Sequence, residues 1–175
     1  MGFLIQRIFL LLVVLLGLMS CEDNPKKPEK KIEKKVEKWL EAGSFNEDSA
    51  YKFIAKQVSF GPRVPNSSNH VKCGDWLSAK LASLGFEISQ QVGEVTAFNG
   101  AKLPVRNIIG NFNKNSSKKI MLCAHWDTRP ISEKESDHNK RGQPTLGAND
   151  GASGVAVLLE LARIFALNPP PVTVD

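Results

Sequence analysis

The chain runs to 175 residues, with 23 Lys and Arg against 18 Asp and Glu and a net charge of +5 at neutral pH. Part of that excess comes from one lysine-rich stretch near the N-terminus, and no interleaving of aromatic and basic residues accompanies it. The basic balance therefore gives no reason to expect a nucleic-acid partner.

The first residues carry Arg7 and then an apolar run, Ile8 to Leu18, of the length of a signal-peptide core. Such a run is too short to cross a bilayer, which takes roughly 20 helical residues. It ends in Leu18-Met19-Ser20-Cys21, which resembles the bacterial lipobox, where cleavage precedes a diacylated cysteine. The expectation is a signal peptide over 1–20 and a lipid on Cys21, two or more acyl chains giving a stable anchor. The alternative is an ordinary cleaved signal or a short anchor with a coincidental cysteine. The lipidated reading places the protein on a bacterial membrane, facing the periplasm or the cell exterior.

Residues 21–43 read as a charged tether: Glu22 to Lys38 holds seven lysines, five acids and two prolines, which no core could absorb. Ile32, Val36, Trp39 and Leu40 fall at helical spacing, so the far end of the tether is a candidate amphipathic helix.

From residue 44 the pattern becomes that of a folded domain, and about 130 residues are enough for one modest core. Ser44 and Glu47 have capping-box spacing, with Ala50, Phe53, Ile54, Gln57 and Val58 following on one helical face. Gly61-Pro62-Arg63-Val64-Pro65 breaks that helix. A second is expected from about Ser67 to Leu84, with Val71, Cys73, Trp76, Leu77, Leu81 and Leu84 inward and Gly85 as its stop. Phe86, Ile88, Gln90 and Val92 alternate as a half-buried strand does, Asn99-Gly100 suits a hairpin turn, and a partner strand spans Lys102 to Phe112. Ile120 to Ala124 is a continuous apolar run, as in a strand covered on both faces. Charged residues 131–144 read as a surface loop. Gly151 to Leu167 is a helix that is apolar nearly all round and so expected to be central. The chain then reaches Pro169-Pro170-Pro171 and the opening of another strand, from which a fragment of a longer domain is expected. The order of elements points to an α/β fold, a mixed central sheet flanked by helices.

His125-Trp126-Asp127 falls at the end of the apolar strand, and Gly147-Ala148-Asn149-Asp150-Gly151 at the start of the apolar helix, where open α/β folds place their sites. Residues two apart at a strand end point the same way, so Asp127 can orient His125 as a carboxylate behind a metal-binding imidazole does. Asp150 brings a hard oxygen donor from another element, and zinc accepts this mixture. Each piece alone is weak, since a histidine near a strand end is commonly structural and an Asp before a helix is commonly an N-cap. Together they gain specificity, because a histidine and two acids would otherwise sit beside apolar runs without a reason. His70 and His138 are expected to face solvent, and Cys73 and Cys123 to be separate thiols rather than a bridge.

Leu122 to Pro130 and Gly147 to Val155 resemble the first two motifs of the zinc aminopeptidase superfamily, which includes the animal-type glutaminyl cyclases. His125-Trp126-Asp127-Thr128-Arg129-Pro130, with Phe60 to Ser67 and Asn107-Ile108-Ile109-Gly110 upstream, is closer to the bacterial glutaminyl cyclase branch than to the peptidases. The resemblance covers about residues 45 to 175. It implies a zinc aminopeptidase-like domain over 44–175 lacking its C-terminal half. Asp150 matches the aspartate that binds the single zinc of the cyclases and bridges two zincs in the peptidases. His125 matches a ligand of the second peptidase zinc; in the cyclases it lies near the metal without being a firm ligand. Asp127 matches the carboxylate that supports that histidine and is the candidate catalytic residue. The family's glutamate pair, a further aspartate and a late zinc-binding histidine would lie beyond Asp175.

The resemblance further implies that peptide or protein N-termini are the substrates. The cyclase reaction converts an N-terminal glutamine to pyroglutamate and releases ammonia, a glutamate shuttling the proton. The alternatives are a zinc aminopeptidase using the same donors and, from another class, a non-catalytic lipoprotein domain.

Overall fold

The computed structural model describes residues 43–175. The signal segment, Cys21 and the tether up to residue 42 lie outside the described residues. Helix α1 spans Glu47–Ser59 and α2 spans Ser68–Ser83; strands β1, Glu87–Thr96, and β2, Lys102–Asn111, form an antiparallel hairpin. Two short strands follow, β3 at Lys119–Ile120 and β4 at Thr173–Val174, with helix α3, Gly154–Leu167, between them in sequence.

The helix ends are set by short-range chemistry. Asn46, not Ser44, caps α1: its side chain accepts from Ser49 N at 2.8 Å, and Glu47 and Asp48 place negative charge at the positive end of the helix dipole. Ser44 is unavailable as a cap because the chain before Asn46 is tied down elsewhere. Its carbonyl accepts from Arg163 at 3.2 Å, and Asn46 N donates to Glu160 at 2.8 Å. Ser67 caps α2 by accepting from His70 N, and Gly85, with φ of 85°, ends that helix in the left-handed conformation expected of it.

β1 and β2 pair from Glu87 opposite Asn111 to Thr96 opposite Lys102, closed by a loop over 97–101 in which Gly100 donates to Ala97 O. β3 and β4 are parallel, and β4 reaches the end of β2 through reciprocal backbone bonds between Phe112 and Val174. The described strands thus form a mixed arrangement, with the antiparallel hairpin on one side and the parallel pair on the other. Cys73 and Leu77 of α2 meet Val155 and Leu159 of α3, with Phe53, Trp76, Ile108 and Trp126 packed around them. Full burial of each leucine contributes about 1.5–3 kcal/mol.

Further expectations are corrected. Val71 faces solvent, whereas His70, expected outside, is buried. The run from Ile120 to Cys123 is exposed; of the described strands only β4 pairs with it, so its apolar side chains look into an open groove of about 640 Å³ bounded by β2 and α3. The last helix begins at Gly154 rather than Gly151, after a wide turn over Ala148–Ser153 in which Asp150 and Gly151 leave helical geometry. As expected of an apolar helix it is central, with Val155, Ala156, Leu159, Ala162 and Ile164 buried, although Val157 and Leu167 are exposed among the described residues. Cys73 and Cys123 are both free, as expected, and His138 lies exposed in a short 3₁₀ turn. Thr173 and Val174 form a buried strand.

Candidate functional site

The chain emerging from β3 reaches His125 just as the wide turn before α3 presents Asp150. His125 Nε2 stands 3.0 Å from Asp150 Oδ1, and His125 Nδ1 stands 3.3 Å from Asp127 Oδ1. The three residues singled out in the sequence therefore share one cluster, all with side chains open to solvent. Arg129 reaches the same place, its Nε 4.0 Å from Asp150 Oδ2 while its guanidinium pairs with Glu133.

Backbone strain holds this arrangement. Gly151 adopts φ 97° and ψ −61°, and a Cβ there would stand 3.1 Å from Asp127 O and 3.2 Å from His125 Cε1. Only glycine combines that conformation with so close an approach. The turn thus presses Asp150 and the imidazole together without an intervening side chain.

The donor set fits zinc. Imidazole nitrogen and carboxylate oxygen are donor types that zinc accepts; the 3.0 Å between them is a hydrogen-bond distance, slightly shorter than the roughly 3.3–3.6 Å between two donors of one tetrahedral zinc. Asp127, 3.3 Å behind Nδ1, stands where a carboxylate stands behind the ring of a metal-binding histidine. Among the described residues no cluster of three or more His, Cys, Asp and Glu side chains is placed to hold a metal ion.

Several supporting residues were not recognised from the sequence. Arg63 is fully buried and donates to backbone carbonyls on both site loops; burial lowers its pKa. Gln57, also fully buried, donates to Ala152 O at 3.0 Å and fastens the wide turn to α1. Thr128 is buried with its hydroxyl unpartnered. His70 stacks on Trp126, ring centroids 3.9 Å apart and planes 12° from parallel. Burial pushes the His70 imidazole below its ordinary value, against the pull of Asp127, which favours a neutral ring in the stack. The signal for His70 was available: residues 70, 73, 77 and 81 fall on one stripe of α2. Cys73 lies on that stripe too, and burial pushes its thiol up to about 11, so it is a neutral core residue at pH 7.

A solved leucine aminopeptidase precursor from Bacteroides thetaiotaomicron is 44% identical, with a TM-score of 0.75 over 77% of this chain. The glutaminyl cyclase of the same organism, solved with N-acetylhistamine, is 45% identical, with a TM-score of 0.74 over 76% of this chain. The fold is that of the zinc-dependent exopeptidases and glutaminyl cyclases. Residues 107–175 match the model of peptidase family M28. A curated glutaminyl-peptide cyclotransferase of Drosophila melanogaster is 29% identical over 109 residues, 59% of this chain. The chain spans 46–47% of the length of the two solved structures and 27% of the Drosophila protein. Within this exopeptidase and cyclase fold, the described residues supply the hairpin, the segment from β3 to His125, the turn that carries Asp150 and the helix after it.

Proposed function

We propose that the protein carrying this chain is a zinc-dependent glutaminyl-peptide cyclotransferase acting on peptide or protein N-termini. The observation that carries the reading is the meeting of His125 Nε2 and Asp150 Oδ1 at 3.0 Å with Asp127 behind the ring. It is supported by the likeness to a bacterial glutaminyl cyclase over 76% of the chain.

In this reading Asp150 is a zinc ligand and His125 stands beside the ion. Zinc bound there supplies a Lewis acid for the γ-carboxamide carbonyl of an N-terminal glutamine. Asp127 acts through His125: its Oδ1 accepts a hydrogen bond from the Nδ1–H and holds the ring beside Asp150. In the reaction the peptide's own α-amine attacks the γ-carboxamide carbon, the ring C–N bond forms and ammonia leaves. A catalytic zinc takes about three protein ligands, so the remaining ligands and the proton-shuttling acid are assigned to residues outside these 175.

The aminopeptidase reading is favoured by the 44% identity to a leucine aminopeptidase precursor and by the match of residues 107–175 to peptidase family M28, and it uses the same donors. A non-catalytic lipoprotein domain would leave the Asp127, His125 and Asp150 cluster without purpose. We further propose that a lipid on Cys21 holds the protein on a bacterial membrane; among the described residues no helix is long and apolar enough to cross one. In the full-length protein, Asp150→Ala and zinc chelation should each abolish ammonia release from glutamine-initiated peptides. Full activity in the Asp150→Ala protein would show the metal site to be misassigned.

A further inference from the structure

We propose that Arg63 is a positioning residue that locks together the two loops carrying His125 and Asp150. This rests on the reading of those residues as the metal site. The Arg63 side chain is completely buried, and among the described residues no carboxylate lies within ion-pair distance of it. Its donors go instead to main-chain carbonyls. Nε donates to Trp126 O at 3.1 Å, Nη1 to Leu146 O at 2.9 Å, and Nη2 to Gly147 O at 2.9 Å. Nη1 also lies within reach of Gln57 O and Gly61 O, and the Arg63 carbonyl accepts from Thr128 N at 3.1 Å.

Trp126 separates His125 from Asp127, and Gly147 stands three residues before Asp150. One guanidinium therefore ties the backbone beside the imidazole to the backbone leading to the carboxylate. Burying a cation is costly unless its donors are satisfied, and here they are met by carbonyl dipoles. The planar fork is what makes the bridge possible: its nitrogens diverge toward carbonyls on two separate loops. A lysine ammonium presents its donors from one point on a flexible stem and cannot span both in the same geometry. A misplacement of either loop moves Asp150, the zinc ligand of this reading, away from His125, whose Nε2 stands 3.0 Å from its Oδ1.

The test compares Arg63→Lys with Leu77→Ala in the full-length protein carrying this chain, at a temperature where both are folded. Leu77 lies on α2 in the core against which Trp126 packs, so its truncation weakens the fold while leaving every hydrogen bond from Arg63 to the two loops in place. Zinc affinity, read by chelator competition, should fall about 10–100-fold in Arg63→Lys and stay close to the parent value in Leu77→Ala. Amide exchange over 126–128 and 147–152 should accelerate together in Arg63→Lys, while that of α2 stays unchanged. Equal zinc affinities in the two variants, or faster exchange in neither loop or in only one, would overturn the clamp.

Asp150→Ala is carried alongside. If it leaves zinc affinity intact, the metal-site reading fails and this assignment with it; if it abolishes binding while Arg63→Lys does not, the clamp alone fails. Should Arg63→Lys not fold, the unmutated protein still decides: the Arg63 Nε–H should exchange slowly and its resonance should shift on zinc addition. A rapidly exchanging Nε–H, indifferent to zinc, would overturn the proposal without any variant.

Discussion

Replacing Gly151 by alanine separates the effect of backbone strain from that of crowding at the site. Gly151 has φ 97° and ψ −61°, a conformation costly for any residue with a Cβ, on the order of 1–3 kcal/mol. The added methyl would also lie 3.1 Å from Asp127 O and 3.2 Å from His125 Cε1, so the imidazole must move by a few tenths of an ångström. Two other glycines serve as controls. Gly85 has φ of 85° but nothing within 4 Å of its missing Cβ, so Gly85→Ala carries strain alone, about 1–2 kcal/mol. Gly93, in β1, has neither a positive φ nor a close neighbour, and alanine there should be neutral or stabilising by roughly 0.5–1 kcal/mol. Urea denaturation should rank the variants Gly151→Ala, Gly85→Ala, Gly93→Ala from least to most stable. Chelator competition should show a loss of zinc affinity in Gly151→Ala alone, about 10–100-fold if His125 or its partners are displaced. Gly151→Ala with the stability of Gly85→Ala and unchanged zinc affinity would refute the claim that this turn sets the spacing of His125 and Asp150.

Glu160→Gln should lower the melting temperature by about 3–8 °C at pH 7, because the buried carboxylate accepts from Arg163 and from Asn46 N and joins α3 to the start of α1. The Arg163 hydrogen bonds hold that carboxyl below its ordinary value. The stabilisation is therefore present above the unfolded value of about 4.3 and lost as pH falls through the lower folded value. The two proteins should converge in stability under strong acid, and a constant difference from pH 7 down to pH 2 would refute this. Cys21→Ser should abolish lipidation, and fatty-acid label retained by that variant would overturn the anchor.

The regular elements were legible because they depend on local signals: apolar spacing in α1 and α2, Ser67 and Gly85 at the ends of α2, and Asn99-Gly100 between β1 and β2. The meeting of His125 with Asp127 was anticipated from strand geometry, but β3 ends at Ile120 and both residues lie in irregular chain beyond it. Asp150 joined them through tertiary structure, and the motif order anticipated that joining. Other features were hidden. Arg63 sits in a Gly-Pro segment that reads as a helix breaker, and no periodicity marks a loop arginine whose carbonyl partners come from residues 126, 146 and 147. The cap of α1 was assigned to Ser44 because its spacing to Glu47 fits a capping box, but Asn46 carries a carbonyl oxygen at the position where the helix begins. Small residues from Gly151 onward suggested a helix start; the positive φ of Gly151 postpones it to Gly154. Apolarity of residues 120–124 was read as burial, but burial depends on what lies against the strand, and here that is β4 along a short stretch.

The most direct measurement follows a glutamine-initiated peptide incubated with the full-length protein and analyses both products. The account predicts ammonia release with the peptide chain intact and its N-terminus closed to pyroglutamate, dependent on zinc and on Asp150. Release of free glutamine with a shortened peptide would contradict it and establish the aminopeptidase reading instead.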